Sequence, residues 1–597
     1  MTLHLDANTA SDIRWDLSDL FSSPQDPLIA KTLTQSAVRA DTFVSTYKGN
    51  LSTLQASSLR LAYQELESIL SPLYRVSQYV QLVYAIDTTD EFVKALVSSV
   101  EDSESDIFQK LVFFDLELGA LPPDVYTSFI QNSELEPYRY SLEQSKKNAP
   151  YHLCEREEQL ILLKNLTGSN AFQKLYNERT SSYQFEFELD GILKKMNGSE
   201  LRALRQHPDS AVRQRAMSLF FKTYESDQVL LSHTYNAIVK DHAIEKKLRG
   251  YSSAIGVKNI GNDLSDTSVS ILHEVTTRSY KLVQRYYRLK ATLLQMPRLT
   301  LSDIYAPLPE STQSFTWDDA KTLVLDSFKS FDRDIYTMAL GMFEEHRIDA
   351  PIALTKRGGA FCSSSVPALK PYVLLNFLGR SRDVSTLAHE LGHAIHDMLC
   401  AHQPLVYYHP ILPLAETASV FSEMLLTDHL LKKTQDPLSK QALLTDKLED
   451  IFATSHRQNM FSRFEMRTHD TIATHFMSAS ELCQAYTEEL CLLFGDSVDI
   501  LPEYAWEWAA IPHIYESPFY VYAYNFGNLL VMSLYQLYLE KGPSFVPTYK
   551  AFLGMGSAAS PAEITKMVHA TIEDPSFWEK SLTYVDHLIT QLEDTMA

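Results

Sequence analysis

The stretch from which the rest of the chain is read is Arg382-Asp383-Val384-Ser385-Thr386-Leu387-Ala388-His389-Glu390-Leu391-Gly392-His393-Ala394-Ile395-His396-Asp397-Met398-Leu399-Cys400. Leu387, Leu391, Ala394, Ile395 and Met398 recur three or four apart, the period of a helix with one apolar face. Asp383 or Ser385 can cap its start. On such a helix His389 and His393 stand about 6 Å apart along the axis, so both imidazoles can turn to one metal ion. Glu390 follows the first of them and can reach a water on that ion rather than the ion itself. This H-E-x-x-H spacing is that of a zinc centre whose glutamate acts as base.

Zinc in such a centre needs a third protein donor, leaving one position for water. His396 shares the face, but seven residues span about 10.5 Å of helix, too far for one ion to join it to His389. The pattern with a later glycine and a third histidine also fails, because His396 and Leu399 occupy those positions. The donor is therefore expected from another helix. Pro410-Ile411-Leu412-Pro413 breaks the chain, and helical periodicity resumes from Leu414 to Lys432 with Glu416 and Glu423 on one face. One glutamate can bind zinc and the other can accept a hydrogen bond from a ligand imidazole.

Before the motif lies a stretch of different character, Pro351 to Phe377. Lys356-Arg357-Gly358-Gly359-Ala360-Phe361, a serine run, and Pro371-Tyr372-Val373-Leu374-Leu375-Asn376-Phe377 predict a small hairpin or two strands. Such a segment is either a connector or an edge strand that pairs with an extended peptide through its backbone.

Farther out, helical period dominates: Ser58 to Tyr84, divided or kinked at Pro72, then Ala211 to Tyr224, Leu443 to Thr468 and Tyr520 to Leu539. Gly119 to Asp124 is a helix break, Tyr305 to Thr312 a loop, and Thr316 a cap for a helix beginning at Trp317. Only 18 Gly and 25 Pro in 597 residues agree with long helices, and that length predicts two or more units. With 53 Lys and Arg against 75 Asp and Glu, the net charge of -22 speaks against nucleic acid or an anionic membrane as partner. Five cysteines, few and odd in number and without a C-x-x-C pair, indicate neither a disulfide framework nor a thiolate zinc site. No basic start with an apolar run opens the chain, and no apolar stretch of about 18 residues occurs, so a cytoplasmic protein without membrane segments is expected.

Thr386-Leu387-Ala388-His389-Glu390-Leu391-Gly392-His393-Ala394-Ile395-His396, followed by Ala415-Glu416-Thr417-Ala418-Ser419-Val420-Phe421-Ser422-Glu423, resembles the oligoendopeptidase F branch of the thimet oligopeptidase family. Further matches run in order along the chain: Trp15 to Phe21, Tyr235 to Asp241, Lys356 to Phe361, His456 to Phe461 and Phe464-Glu465. Last come Ile511 to Tyr515 and Pro518 to Tyr524. The resemblance implies that Glu416 is the third ligand of one zinc ion per chain and leaves Glu423 to support a ligand imidazole. It also implies that His513 and a tyrosine face the zinc. Tyr520 is the first choice for the oxyanion donor; Tyr522 is possible in that role and is placed among the substrate contacts, and Tyr515 and Tyr524 are weaker candidates. Gly359, Ala360 and Phe361 fall on the family's substrate-side strand, with glycine and phenylalanine where relatives often carry serine and tyrosine.

For the fold, the resemblance implies a mostly α, two-part architecture around a deep substrate channel, with a small β-hairpin or sheet beside the zinc helix. An N-terminal helical domain would span 1–195 and a catalytic zinc metallopeptidase domain 196–597. The expected activity is endopeptidase cleavage of short unfolded peptides. A thermolysin-like exopeptidase would carry an acidic residue at position 420, which is Val, and a Gly-x-Met-Glu-Asn sequence, which is absent. A helical scaffold without activity would have no use for Glu390.

Overall fold

The computed structural model describes residues 10–308 and 314–596. Helices dominate, as the sparse breakers predict, and the strands are few and short. Part of the loop read at Tyr305 to Thr312 lies outside the described residues. No helix among those described is long and apolar enough to cross a membrane.

By packing, the chain forms two compact units, each assembled from three separated segments. One comprises Met1–Pro150, Gln313–Lys432 and Leu537–His569; the other comprises Tyr151–Thr312, Lys433–Gln536 and Ala570–Ala597.

In the first unit the helices Pro27–Tyr47, Ala56–Ile86 and Glu91–Leu111 pack on one another. Phe43, Leu59, Tyr63, Leu73 and Ile107 are fully or nearly fully buried between them. Pro72 does not divide its helix, which runs unbroken from Ala56 to Ile86. Ile348–Asp349, Tyr372–Leu374 and Phe361–Ser363 form a three-stranded sheet in that spatial order, the first pair parallel and the second antiparallel. Trp15, from the opening segment, sets its ring edge-on to Tyr372 at 6.1 Å, so the start of the chain buttresses this sheet. Against the sheet lies the helix Ser381–Cys400, which also packs on Trp317–Phe331, Arg333–Glu344 and Val546–Leu553. The Cys400 thiol donates to the Leu553 carbonyl at 3.1 Å, across 153 residues of sequence.

The second unit is a bundle that includes Ser210–Ser226, Gln228–Arg249, Asp266–Arg278, Pro437–Ile451, Arg457–Ile472 and Pro575–Asp594. The run read as one helix from Leu443 to Thr468 contains a π-helical turn, Phe452–His456, between its two α-helical parts. A hairpin that the sequence reading did not identify pairs Phe185–Leu189 with Ile192–Met196. Asp190 and Gly191 form its two-residue turn with φ of 55° and 74°. Both angles positive are what a primed hairpin turn requires, and the Asp-Gly pair supplies them at little steric cost.

Candidate metal centre

The helix Ser381–Cys400 starts on an internal cap. The Asp383 carboxylate accepts from the backbone N–H of Leu378 at 2.9 Å and of Arg380 at 3.0 Å. Two amides that would otherwise end in solvent are satisfied, and the loop after the sheet is tied to the helix start. Asp383 thus caps from the third helical position, and Ser385 makes no cap. One and a half turns later His389 and His393 point to the same side, with ring centroids 4.9 Å apart.

Glu416 does not lie within the following helix. It sits at the break between Leu412–Ala415 and Thr417–Lys433, where its carbonyl accepts from Val420 N at 3.1 Å. Its carboxylate Oε2 is 3.3 Å from His389 Nε2 and 3.4 Å from His393 Nε2. The Ser419 hydroxyl donates to the same oxygen at 2.6 Å. These three residues offer one donor atom each, all within 4.8 Å of one another. Glu423, two turns on, meets His389 Nδ1 at 2.6 Å. An Nδ1–H held by Glu423 makes Nε2 the nitrogen that gives up its proton when a metal binds, which is the tautomer a metal ligand needs.

Gly392 makes this approach possible. A Cβ there would lie 2.6 Å from the Ala418 carbonyl oxygen and 2.6 Å from Ser419 Cα. Any side chain would push the second helix away, and Glu416 with it.

Charge at the centre follows from neighbours acting against burial. Burial works to raise the Glu416 carboxyl, but His393, His389 and the Ser419 hydroxyl hold it at about 2. Burial works to lower His389, and Glu423 outweighs it, bringing the imidazole to about 9. Glu390 is raised by burial, with His389, His393 and the Cys362 backbone N–H opposing. That amide belongs to the edge strand Phe361–Ser363. His396 is 3% exposed and is pushed down to about 3 by burial, so it stays neutral, and it lies outside the three-donor group. The donor set, two imidazoles and one carboxylate, fits zinc.

Gly359, Ala360 and Phe361 lead into that edge strand. Gly359 has φ of 81°, and its carbonyl and that of Arg357 accept from Asn376 Nδ2 at 2.8 and 3.0 Å. The Lys356 ammonium is buried with Asp349 at 2.7 Å and also donates to the carbonyls of Pro351 and Leu375. The glycine turn is thereby fastened on both sides.

His513, Tyr520 and Tyr522 belong to the second unit. His513 is exposed, and its ring stacks on Tyr520 with centroids 5.9 Å apart. Tyr524 completes this group: its hydroxyl is 3.5 Å from His513 Nε2, and its ring meets Tyr520 edge-on at 5.4 Å. By sequence Tyr524 is one of the weaker candidates, although its spacing of four from Tyr520 is a usable signal. Tyr522 corrects the expectation of a substrate contact. It is fully buried, and its hydroxyl accepts from Asn262 at 2.8 Å, so it serves packing. Tyr515 is likewise buried and stacks on Tyr176 at 3.8 Å.

A family model described as Peptidase family M3 matches residues 203–584, and one described as Oligopeptidase F matches residues 117–185. The oligopeptidase PepF of Bacillus subtilis is 26% identical over 589 residues, covering 98% of this chain and 87% of its own. An oligoendopeptidase F homolog of Borreliella burgdorferi is 26% identical over 559 residues and 92% of each chain. Among solved structures, one from Chlamydophila abortus has a TM-score of 0.87 at 24% identity, covering 98% of both chains. The oligoendopeptidase-F of Enterococcus faecium has a TM-score of 0.70 at 22% identity, covering 94% of this chain and 97% of its own.

Proposed function

The chain belongs to peptidase family M3 and is a metallopeptidase, and we propose that it is a zinc-dependent endopeptidase for short unfolded peptides. The observation that carries this reading is the convergence of His389, His393 and Glu416 on one point, with Glu390 beside them. In this reading His389 and His393, through Nε2, and Glu416, through Oε2, would hold one zinc ion. Bound there, zinc would supply Lewis acidity and bring the pKa of a coordinated water to roughly 7.

Glu390 takes the proton of the attacking water on its carboxylate and delivers it to the leaving amide nitrogen. Its raised carboxyl, a consequence of burial, suits both accepting and returning that proton. Glu423 fixes the His389 tautomer. The resemblance assigns His513 and Tyr520 to hydrogen bonds with the developing oxyanion, and losing such a donor costs about 3 kcal/mol of transition-state stabilisation. Gly359, Ala360 and Phe361 support a backbone-paired peptide, since Phe361–Ser363 is the outer strand of its sheet. The net charge of -22 is consistent with peptide substrates rather than nucleic acid, and a cytoplasmic site of action is part of the proposal.

The test is cleavage of a peptide blocked at its N-terminus, with metal analysis of the same preparation. Expected are one zinc per chain, internal cleavage by the wild type, and for Glu390→Gln retained zinc with loss of hydrolysis. Turnover by the Gln variant would overturn the role of Glu390. Activity confined to free termini would overturn the endopeptidase reading.

A further inference from the structure

The segment that carries Tyr520 contains a turn with an unexpected residue in it. The Ser517 carbonyl accepts from Tyr520 N at 3.1 Å, with Pro518 and Phe519 between them. Phe519 has φ of 58°, the left-handed region that a turn normally gives to glycine or asparagine at this place. Something outside the turn must hold it there, because strained backbone persists only where its surroundings over-determine it.

The helix Arg457–Ile472 supplies the restraint. Glu465 is completely buried, and its Oε1 accepts from Phe519 N at 2.7 Å, across 54 residues of sequence. Its Oε2 is buried with no hydrogen-bond partner among the described residues. The Phe519 ring rests on His469, one turn along the same helix, at 4.5 Å, and on His242 at 5.8 Å. Burial holds both imidazoles below their usual range, so neither offers the carboxyl a positive charge. Lys258 is the cation facing this place. Its ammonium lies over the Tyr520 ring at 5.1 Å and 3.4 Å from Ser517 Oγ. A carboxyl buried without an ion pair, and joined by one bond to the amide of a strained residue, has no ordinary stabilising task.

We propose that Glu465 is a positioning residue for Tyr520, its carboxyl clasping the Phe519 amide so that the turn holds the tyrosine ring in place. The clasp accounts for a phenylalanine at a glycine-like position, since amide and ring are each engaged by the same helix. This rests on the reading that Tyr520 donates to the oxyanion.

Two measurements on the zinc-loaded full chain separate the two ideas: amide hydrogen exchange over residues 517–521, and kcat and KM on the blocked peptide. Glu465→Ala should speed exchange in that segment and lower kcat roughly 10- to 100-fold, with KM within about twofold and zinc content unchanged. Glu465→Gln, which keeps an acceptor oxygen for Phe519 N, should restore slow exchange and most of kcat. If the alanine variant fails to fold, Glu465→Asp, one methylene shorter, should give the same changes in smaller measure. Unchanged exchange in the folded alanine or aspartate variant overturns the clasp, as does a glutamine variant no better than alanine. Tyr520→Phe with kcat intact overturns the oxyanion reading, while exchange still reports on the clasp.

Discussion

Glu416 and Glu465 are the same residue in opposite states. Glu416, half-buried, meets two imidazoles and a serine hydroxyl and is held at about 2, so it is charged. Glu465 is fully buried and is pushed up to about 8 by that burial, against the opposing pull of the Phe519 N–H and of Lys258. Depth alone does not decide charge; the company a carboxyl keeps does. The metal-centre region spends its polar groups on one point where charge gathers. Around the tyrosine segment the buried carboxyl of Glu465 is instead used to hold backbone.

The sharpest way to break this contrast is to remove Glu416. Glu416→Ala should take metal content well below one equivalent in equilibrium dialysis, with affinity falling by more than the roughly 100-fold typical of an outer partner. Near-stoichiometric zinc would mean that the two histidines suffice and that the charge on Glu416 has another purpose.

Glu465 sets the next largest effect, on pH dependence. Its carboxyl is raised from 4.5 to about 8, so the folded state holds a proton that the unfolded chain gives up. The stability this provides is fully present below about 4.5 and is lost as pH rises through about 8. The loss is of order 4 kcal/mol. Urea unfolding at pH 5 and pH 8.5 should show that decline in the wild type and a flatter profile in Glu465→Gln. Equal profiles would mean that Lys258 and the Phe519 N–H offset the burial and leave Glu465 charged.

Glu423→Gln tests whether the paired region depends on its outer member. Loss of the charged partner of His389 Nδ1 should weaken zinc binding about 10- to 100-fold while leaving the fold intact, as read by competition with a chelator. Comparable in size is Gly392→Ala, expected to cost about 1–3 kcal/mol of stability by forcing a methyl against the Ala418 carbonyl and Ser419. A zinc affinity that survives this change would show that the two helices can part without losing the donor set.

Sequence revealed the two regions unequally. The histidine helix was readable because period, cap and ligand spacing all lie within 20 residues. That Glu416 and Glu423 divide their tasks was open from the residues alone, and the family resemblance was needed to order them. The geometry then shows why: the break at Glu416 turns its carboxylate to both imidazoles, whereas Glu423 reaches only the far nitrogen of His389. The closeness that Gly392 permits could not be read, because it depends on which helix packs there. The hairpin at Asp190-Gly191 was legible and missed: Phe185 and Phe187 alternate with charged residues before an Asp-Gly pair. Neither the π-helical turn at Phe452–His456 nor the buried Tyr522 has a local signature, since long-range packing determines both. The same holds for the interleaved units, which a linear boundary at 195/196 does not describe.

That interleaving has a consequence in time. The helix with the two histidines is complete once Cys400 is made, but the Leu553 carbonyl that its last residue bonds lies 153 residues farther on. At about 5–20 residues per second, roughly 8–30 seconds of synthesis separate them. For most of that interval the histidines and both glutamates, Glu416 and Glu423, are already made, while the segment Val546–Leu553 that packs on the histidine helix is not. His389, His393 and Glu416 are thus all made well before the segment that completes the packing of the histidine helix.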